Sequence, residues 1–190
     1  MLKKMILVAA MALLTISAQL GTANASPFVN GGFETGDFTG WTVDSINNWA
    51  IVLNSGTQLA GNYEAQLGTY GTVGIISQAF DTTVGQDYKV SFWLANDSKD
   101  STNVYQALWN GAAQNITALD PTLASGYTQY QFTATAANTS AVIAFNFLND
   151  PSVFHLDNVD VAPVPEPGTL VLLSAGLFGL CVYGKRRNAK

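Results

Sequence analysis

The sequence predicts an all-β protein, an antiparallel β-sandwich of jelly-roll type. Three observations carry that expectation. No helical stripe of useful length runs between Ser26 and Pro163. In its place stand short alternating or β-rich runs, separated by clusters of Gly, Asn, Asp and Thr, at the regular spacing of a sandwich or barrel. Strands do not alternate with helical segments, which argues against a parallel α/β sheet.

In chain order the candidate strands are Trp49–Leu53, Tyr63–Leu67, Gly74–Phe80, Tyr88–Ala95, Val104–Trp109, Gln114–Leu119, Tyr127–Thr135, Ala141–Leu148 and Phe154–Val161. The clearest is "DYKVSFWLA": Tyr88, Val90, Phe92 and Leu94 alternate with Lys89, Ser91, Trp93 and Ala95, so the first set faces a core. "AVIAFNF" places Ile143, Phe145 and Phe147 on one face in the same way. "APVPEPG" (Ala162–Gly168) closes the series, because three prolines between Pro163 and Pro167 cannot sit in a central strand and favour an extended linker. The sheet domain is expected to end near Val161.

Both ends of the 190-residue chain read as targeting segments. Lys3 and Lys4 precede an apolar run from Met5 to about Ala18, and Ala23-Asn24-Ala25 fits the small-residue cleavage pattern of a secretory signal peptide. Residues 1–25 are thus expected to be a signal helix, the alternative being an uncleaved anchor. From Gly168 to Gly184 the chain has 17 uncharged residues, ended by Lys185-Arg186-Arg187. That is the lower limit for crossing a hydrocarbon core of about 30 Å, and the basic cluster would stay cytoplasmic. The expected division is 1–25 signal peptide, 26–162 β-sandwich and 163–190 a sorting segment with a single transmembrane helix.

Between the ends the body holds two lysines, Lys89 and Lys99, no arginine and 12 acidic residues, a charge near −10 where the whole chain is at −5. Such a surface repels nucleic acid and anionic membranes and attracts cations. The single cysteine, Cys181, lies in the apolar tail, so the exported body has no disulfide framework.

"VPEPGT", the apolar run and "KRR" together (Val164–Arg187) resemble a PEP-CTERM sorting signal. The resemblance implies export, recognition of Pro165, Glu166 and Pro167 by an exosortase, transient anchoring in the inner membrane, and association with extracellular polysaccharide. The prolines suit such a role, since they keep the motif out of helix and sheet as exposed backbone. A simple single-span anchor with a proline stem is the alternative.

In the body, "VNGGFETGDFTGWT" (Val29–Thr42) and "FHLDNVDV" (Phe154–Val161) resemble the first and last strands of galactose-binding-like jelly rolls, the carbohydrate-binding-module type, with "AGNYEAQLG", "ISQAF", "YKVSFWLAN" and "ALWNG" in family order between them. In that family the first and last strands lie side by side and often hold a structural Ca²⁺. The resemblance implies Glu34 and Asp157 as its carboxylates, with backbone carbonyls completing the six to eight oxygens that Ca²⁺ takes. The alternative is two solvated turn or edge residues.

Sugar rings stack on exposed aromatic faces, and Trp41, Trp49, Trp93, Trp109 and Tyr70 are the aromatic candidates. Trp93, opposite the core set of its strand, is singled out, with Trp109 and Tyr70 beside it; Trp41 reads as packing. Catalysis has little to draw on. His155 is the only histidine and reads as a polar surface or satisfied core residue, and Asp97 and Asp100 read as turn residues of "NDSKDSTN". A glycosidase would need two carboxylates across a cleft, to which nothing in the sequence points. The sequons at Asn96, Asn115 and Asn138 read as accidents of an Asn/Thr-rich chain. The expectation is a non-catalytic surface or matrix protein, with glycan binding as the sharper form; the alternatives are a small polysaccharide lyase or glycosidase on this fold, and a purely structural component.

Overall fold

The computed structural model describes residues 27–44, 49–117 and 119–165. Ten strands form: β1 (Thr42–Asp44), β2 (Ala50–Leu53), β3 (Glu64–Leu67), β4 (Gly74–Asp81), β5 (Asp87–Asn96), β6 (Val104–Trp109), β7 (Ala112–Ala113), β8 (Ser125–Thr135), β9 (Ser140–Leu148) and β10 (Phe154–Pro163). They build two five-stranded antiparallel sheets, ordered β1-β4-β9-β6-β7 and β2-β3-β10-β5-β8. Among the described residues no helix is long and apolar enough to cross a membrane. The expected signal helix and transmembrane helix lie outside the described residues.

The alternation read from the sequence is what packs the two sheets. Val90, Phe92 and Leu94 of β5 and Ile143, Phe145 and Phe147 of β9 are all buried, each set on the inner face of its sheet. Aromatic rings fill the space between. Phe92 meets Phe145 edge to face at 5.1 Å, and Tyr105 meets Phe154 the same way at 5.1 Å, geometries that add to plain area burial.

Several elements differ from the sequence expectation. Gln114–Leu119 contains no strand among its described residues. The hairpin closes earlier, at Asn110-Gly111, both with positive φ (50° and 81°), and the two-residue β7 pairs back on β6. The Asn-Gly pair is the local signal that sets this tight turn. Of Val29–Thr42, expected as a first strand, residues 29–41 form a chain of turns; β1 begins at Thr42 and pairs with β4 rather than β10. Asn30 and Phe33 adopt left-handed backbone (φ 52° and 56°), which interrupts regular strand pairing.

The segment still lies against β10. Gly31 O accepts from Val159 N at 2.9 Å, and a Cβ on Gly31 would sit 1.9 Å from Val159 O, so only glycine allows this approach. Gln78 fastens the start of the segment to β4, accepting from Val29 N at 2.7 Å and donating to Val29 O at 2.9 Å.

β10 runs to Pro163, two residues past the expected end at Val161. Beyond Leu156 its β3 flank carries no ladder pairs, so a proline without an N–H fits there. Val164 N still donates to Asp87 O at 2.8 Å, and Gln86 Nε2 donates to Val164 O at 2.6 Å.

Candidate functional site

On the second sheet, Leu156 and Phe154 of β10, Ala65 and Leu67 of β3, and Phe92 and Leu94 of β5 point into the core. By the two-residue period, His155 and Asp157, Glu64 and Gln66, and Trp93 point outward. An outward strand position is ordinarily solvated. Here Glu64 and Asp157 are fully buried and His155 is 5% exposed. The connection between β2 and β3 brings Ser55 and Thr57 to Glu64 and the backbone of Leu59 and Ala60 to Asp157.

Glu64 is the centre of this network. Its Oε1 accepts from Ser55 Oγ (2.6 Å), Thr57 Oγ1 (3.2 Å), Gln66 Nε2 (3.0 Å) and the His155 ring, with Nδ1 at 2.7 Å; its Oε2 accepts from Tyr127 Oη at 2.6 Å. The other ring nitrogen, His155 Nε2, lies 2.8 Å from Asp97 Oδ2. A carboxylate at each ring nitrogen favours the doubly protonated, positively charged imidazolium. Burial pulls the His155 pKa down, but the hydrogen bonds and charges of Glu64 and Asp97 outweigh it and the pKa is raised. Burial pushes Glu64 up, but hydrogen bonds from His155, Ser55, Tyr127 and Gln66 prevail and hold it at about 2. Burial and the Glu64 carboxylate raise the Tyr127 phenol. Asp97 is therefore no mere turn residue, although Asp100 is one, accepting from Thr102 N at 2.8 Å.

Glu34 and Asp157 converge on the same crossing segment. Asp157 Oδ2 accepts from Leu59 N (3.1 Å) and Ala60 N (3.2 Å), and its Oδ1 from Asn158 N (2.6 Å). Glu34 Oε1 accepts from Asn62 N (3.0 Å) and Tyr63 N (3.1 Å). Between these contacts Gly61, at φ 71°, brings its Cα so close that a Cβ would lie 2.1 Å from Glu34 Oε1. Burial pushes the Asp157 carboxyl up, the backbone donors partly offset this, and the Glu34 charge adds to the rise. Among the described residues no group of three or more His, Cys, Asp or Glu side chains is placed to hold a metal, so a cation here would draw on these two carboxylates and on neutral oxygens.

The aromatic candidates separate. Trp109 is 6% exposed and packs in the core, edge to face with Phe80 at 5.6 Å, so it offers no face to a sugar. Its place on β6 follows the same alternation as Tyr105 and Ala107, which also face inward. Trp41 is core as well, stacked on Phe33 at 5.6 Å. Trp93 is half-buried on the outer face, opposite Gln129 of β8 on one side and Asp157 of β10 on the other. Tyr70 is 70% exposed and Trp49 51% exposed, and both line one open pocket of about 360 Å³ with Thr69, Asn149 and Asp150. Of the sorting residues, Pro165 is exposed and is the last described residue; Glu166 and Pro167 lie outside the described residues.

The sequence missed the Glu64–His155–Asp97 network. A signal was available: Glu64 and His155 stand at outward positions of strands that pair as neighbours in the jelly roll. Without the register, however, that pairing is one of many.

Comparison with curated proteins gives no match. The PEP-CTERM protein-sorting motif matches at residues 163–187. Among solved structures, TmCBM61 in complex with β-1,4-galactotriose is 17% identical, with a TM-score of 0.58 over 72% of this chain and 97% of that one. The CBM22-1 xylan-binding domain from Paenibacillus barcinonensis Xyn10C is 13% identical, with a TM-score of 0.55 over 72% of this chain and 94% of that one. The enzymatically active domain of bacteriophage CBA120 tailspike protein 4 is 17% identical, with a TM-score of 0.53 over 72% of this chain but 21% of that one. The chain is therefore an all-β jelly roll with the fold of carbohydrate-binding modules, carrying a PEP-CTERM sorting motif at residues 163–187.

Proposed function

We propose that this protein is an exported, non-catalytic glycan-binding component of an extracellular polysaccharide matrix. In this reading an exosortase recognises Pro165, Glu166 and Pro167, and the apolar run behind them holds the protein in the inner membrane until processing. The observation that carries glycan binding is Trp93, an outward, half-buried indole on a sheet face with polar Gln129 beside it. An indole face meets the C–H surface of a pyranose while neighbouring amides fix hydroxyls. The fold shared with a galactotriose-bound module and a xylan-binding domain supports the same reading.

The non-catalytic part rests on Glu64 and His155. They are buried and engaged with each other, leaving neither as an open general acid or base. The tailspike likeness is the reason to test for catalysis: release of reducing ends or unsaturated products from the host's own polysaccharide would replace binder with enzyme.

A structural Ca²⁺ at Glu34 and Asp157 belongs to this proposal. Its support is that two carboxylates far apart in the chain meet one short segment, Asp157 at Leu59 and Ala60 and Glu34 at Asn62 and Tyr63.

Polysaccharide pull-down with the purified protein tests the binding. Trp93→Ala should weaken retention and leave the far-UV spectrum and melting temperature intact; unchanged retention would remove Trp93 from the site. For sorting, Glu166→Ala should leave the unprocessed mass on the exported protein.

A further inference from the structure

We infer that the pocket at the strand ends is a second glycan site, selective for neutral pyranoses. The inference rests on the reading of the protein as a glycan binder. The site is distinct from the Trp93 face: it opens where β2 and β10 begin and β3 and β9 end, and it is lined by Trp49, Thr69, Tyr70, Asn149 and Asp150.

Two features point to a carbohydrate. Trp49 and Tyr70 are more than half exposed in a fold that buries Trp41 and Trp109, and they border the same pocket. Aromatic faces left in water at a concave site are what an apolar sugar face displaces water from. The volume of about 360 Å³ falls at the lower end of ligand pockets, which suits one or two sugar units.

The floor of the pocket is held in place. Gly68 N donates to Trp49 O at 3.0 Å, which ties the start of β2 to the turn that carries Thr69 and Tyr70. Thr69 Oγ1 donates to Phe147 O at 3.3 Å. Asn149 is 1% exposed; its amide donates to Asn96 Oδ1 at 2.8 Å and its Oδ1 accepts from Ser98 Oγ at 2.7 Å. Asn96 is fixed in turn by donating to Pro121 O and Leu123 O. A site positioned by such contacts need not order itself on binding, which removes much of the entropic cost.

Charge sets the ligand class. Asp150 is the charged residue of the lining, and the body carries two lysines against 12 acidic residues. A uronate carboxylate would enter an acidic pocket on an acidic body without a cationic partner. A neutral hexose or pentose donates its hydroxyl protons to Asp150 instead, as charge-assisted hydrogen bonds.

The test is an oligosaccharide array carrying neutral and uronate-containing chains, followed by titration calorimetry with the best-bound neutral oligosaccharide. Wild type should bind neutral chains and leave the uronates unbound. Trp49→Ala and Tyr70→Ala should each weaken binding about five- to ten-fold, and Tyr70→Phe should retain most of it, all with unchanged melting temperature. If wild type binds and Trp93→Ala weakens it, while Trp49→Ala and Tyr70→Ala titrate as wild type, the second site is overturned and the glycan-binding function stands. Binding confined to uronates overturns the ligand class assigned here. Binding of nothing on the array overturns the function and the site together.

Discussion

His155 Nδ1 stands 2.7 Å from Glu64 Oε1 inside a β-sandwich whose surface carries almost no positive charge. The pair is closed on both sides, by Asp97 at Nε2 of the ring and by Tyr127 at Oε2 of the carboxylate. Removing one partner takes the nearest opposite charge from a buried group, leaving His155 with Asp97 alone or Glu64 with neutral donors alone. Glu64→Gln or His155→Ala should therefore destabilise the fold by about 3–5 kcal/mol. The double substitution should cost less than the sum of the two. A double-mutant cycle by urea unfolding measures this, and additive losses would contradict the coupling.

The same pair gives stability a pH window. Glu64 is held at about 2, below its ordinary value of 4.5, so its contribution is present above 4.5 and is lost as pH falls toward 2. His155 is raised above 6.5, so its contribution is full below 6.5 and is lost as pH rises through the raised value. The denaturation midpoint should form a plateau on the mildly acidic side of neutrality and decline on either side. In His155→Ala the alkaline decline should flatten, which a pH series of urea melts reads directly.

Gly31→Ala would place a Cβ 1.9 Å from Val159 O, a backbone atom that cannot step aside without moving β10. The expected loss is about 1–3 kcal/mol or more. Gly56→Ala, where the space is open, serves as the comparison for a loop glycine; strain at its φ of 79° should cost it about 1 kcal/mol. Equal melting temperatures for the two variants would show that segment 29–34 does not depend on this contact.

Calcium offers a fourth measurement. EDTA should lower the melting temperature of the wild type, and added Ca²⁺ should restore it. Glu34→Ala should have a lowered melting temperature that neither EDTA nor Ca²⁺ moves. A wild type indifferent to EDTA would remove the cation from Glu34 and Asp157.

Trp109→Ala should act on stability alone. Its ring is packed against Phe80 and Tyr88, so truncation should cost about 3–5 kcal/mol. Variant protein that remains folded in the cold should bind polysaccharide as the wild type does.

The strands were legible because β5 and β9 write their buried face at every second residue, and the two-sheet architecture followed from their spacing. Trp93 was legible as outward for the same reason. Trp109 was misplaced because β6, "VYQALW", mixes large and small residues on both faces, so the alternation does not declare its inner side. The turns of Val29–Trp41 were hidden because Phe33 enters left-handed backbone, against its own preference, under tertiary contacts. The Glu64–His155–Asp97 network was hidden for a different reason. It joins residues up to 91 positions apart, and only the β3–β10 register places them together.

β10 gives the module a polarity. Its ten residues span roughly 30 Å at about 3.3 Å per residue. The Trp49–Tyr70 pocket lies at the end where this strand begins, and Val164, still tied to Asp87 and Gln86, lies where it finishes. Whatever grips the chain at Pro165 therefore meets the sandwich almost without a tether. It holds the module by one pole, and the two exposed rings sit at the opposite one.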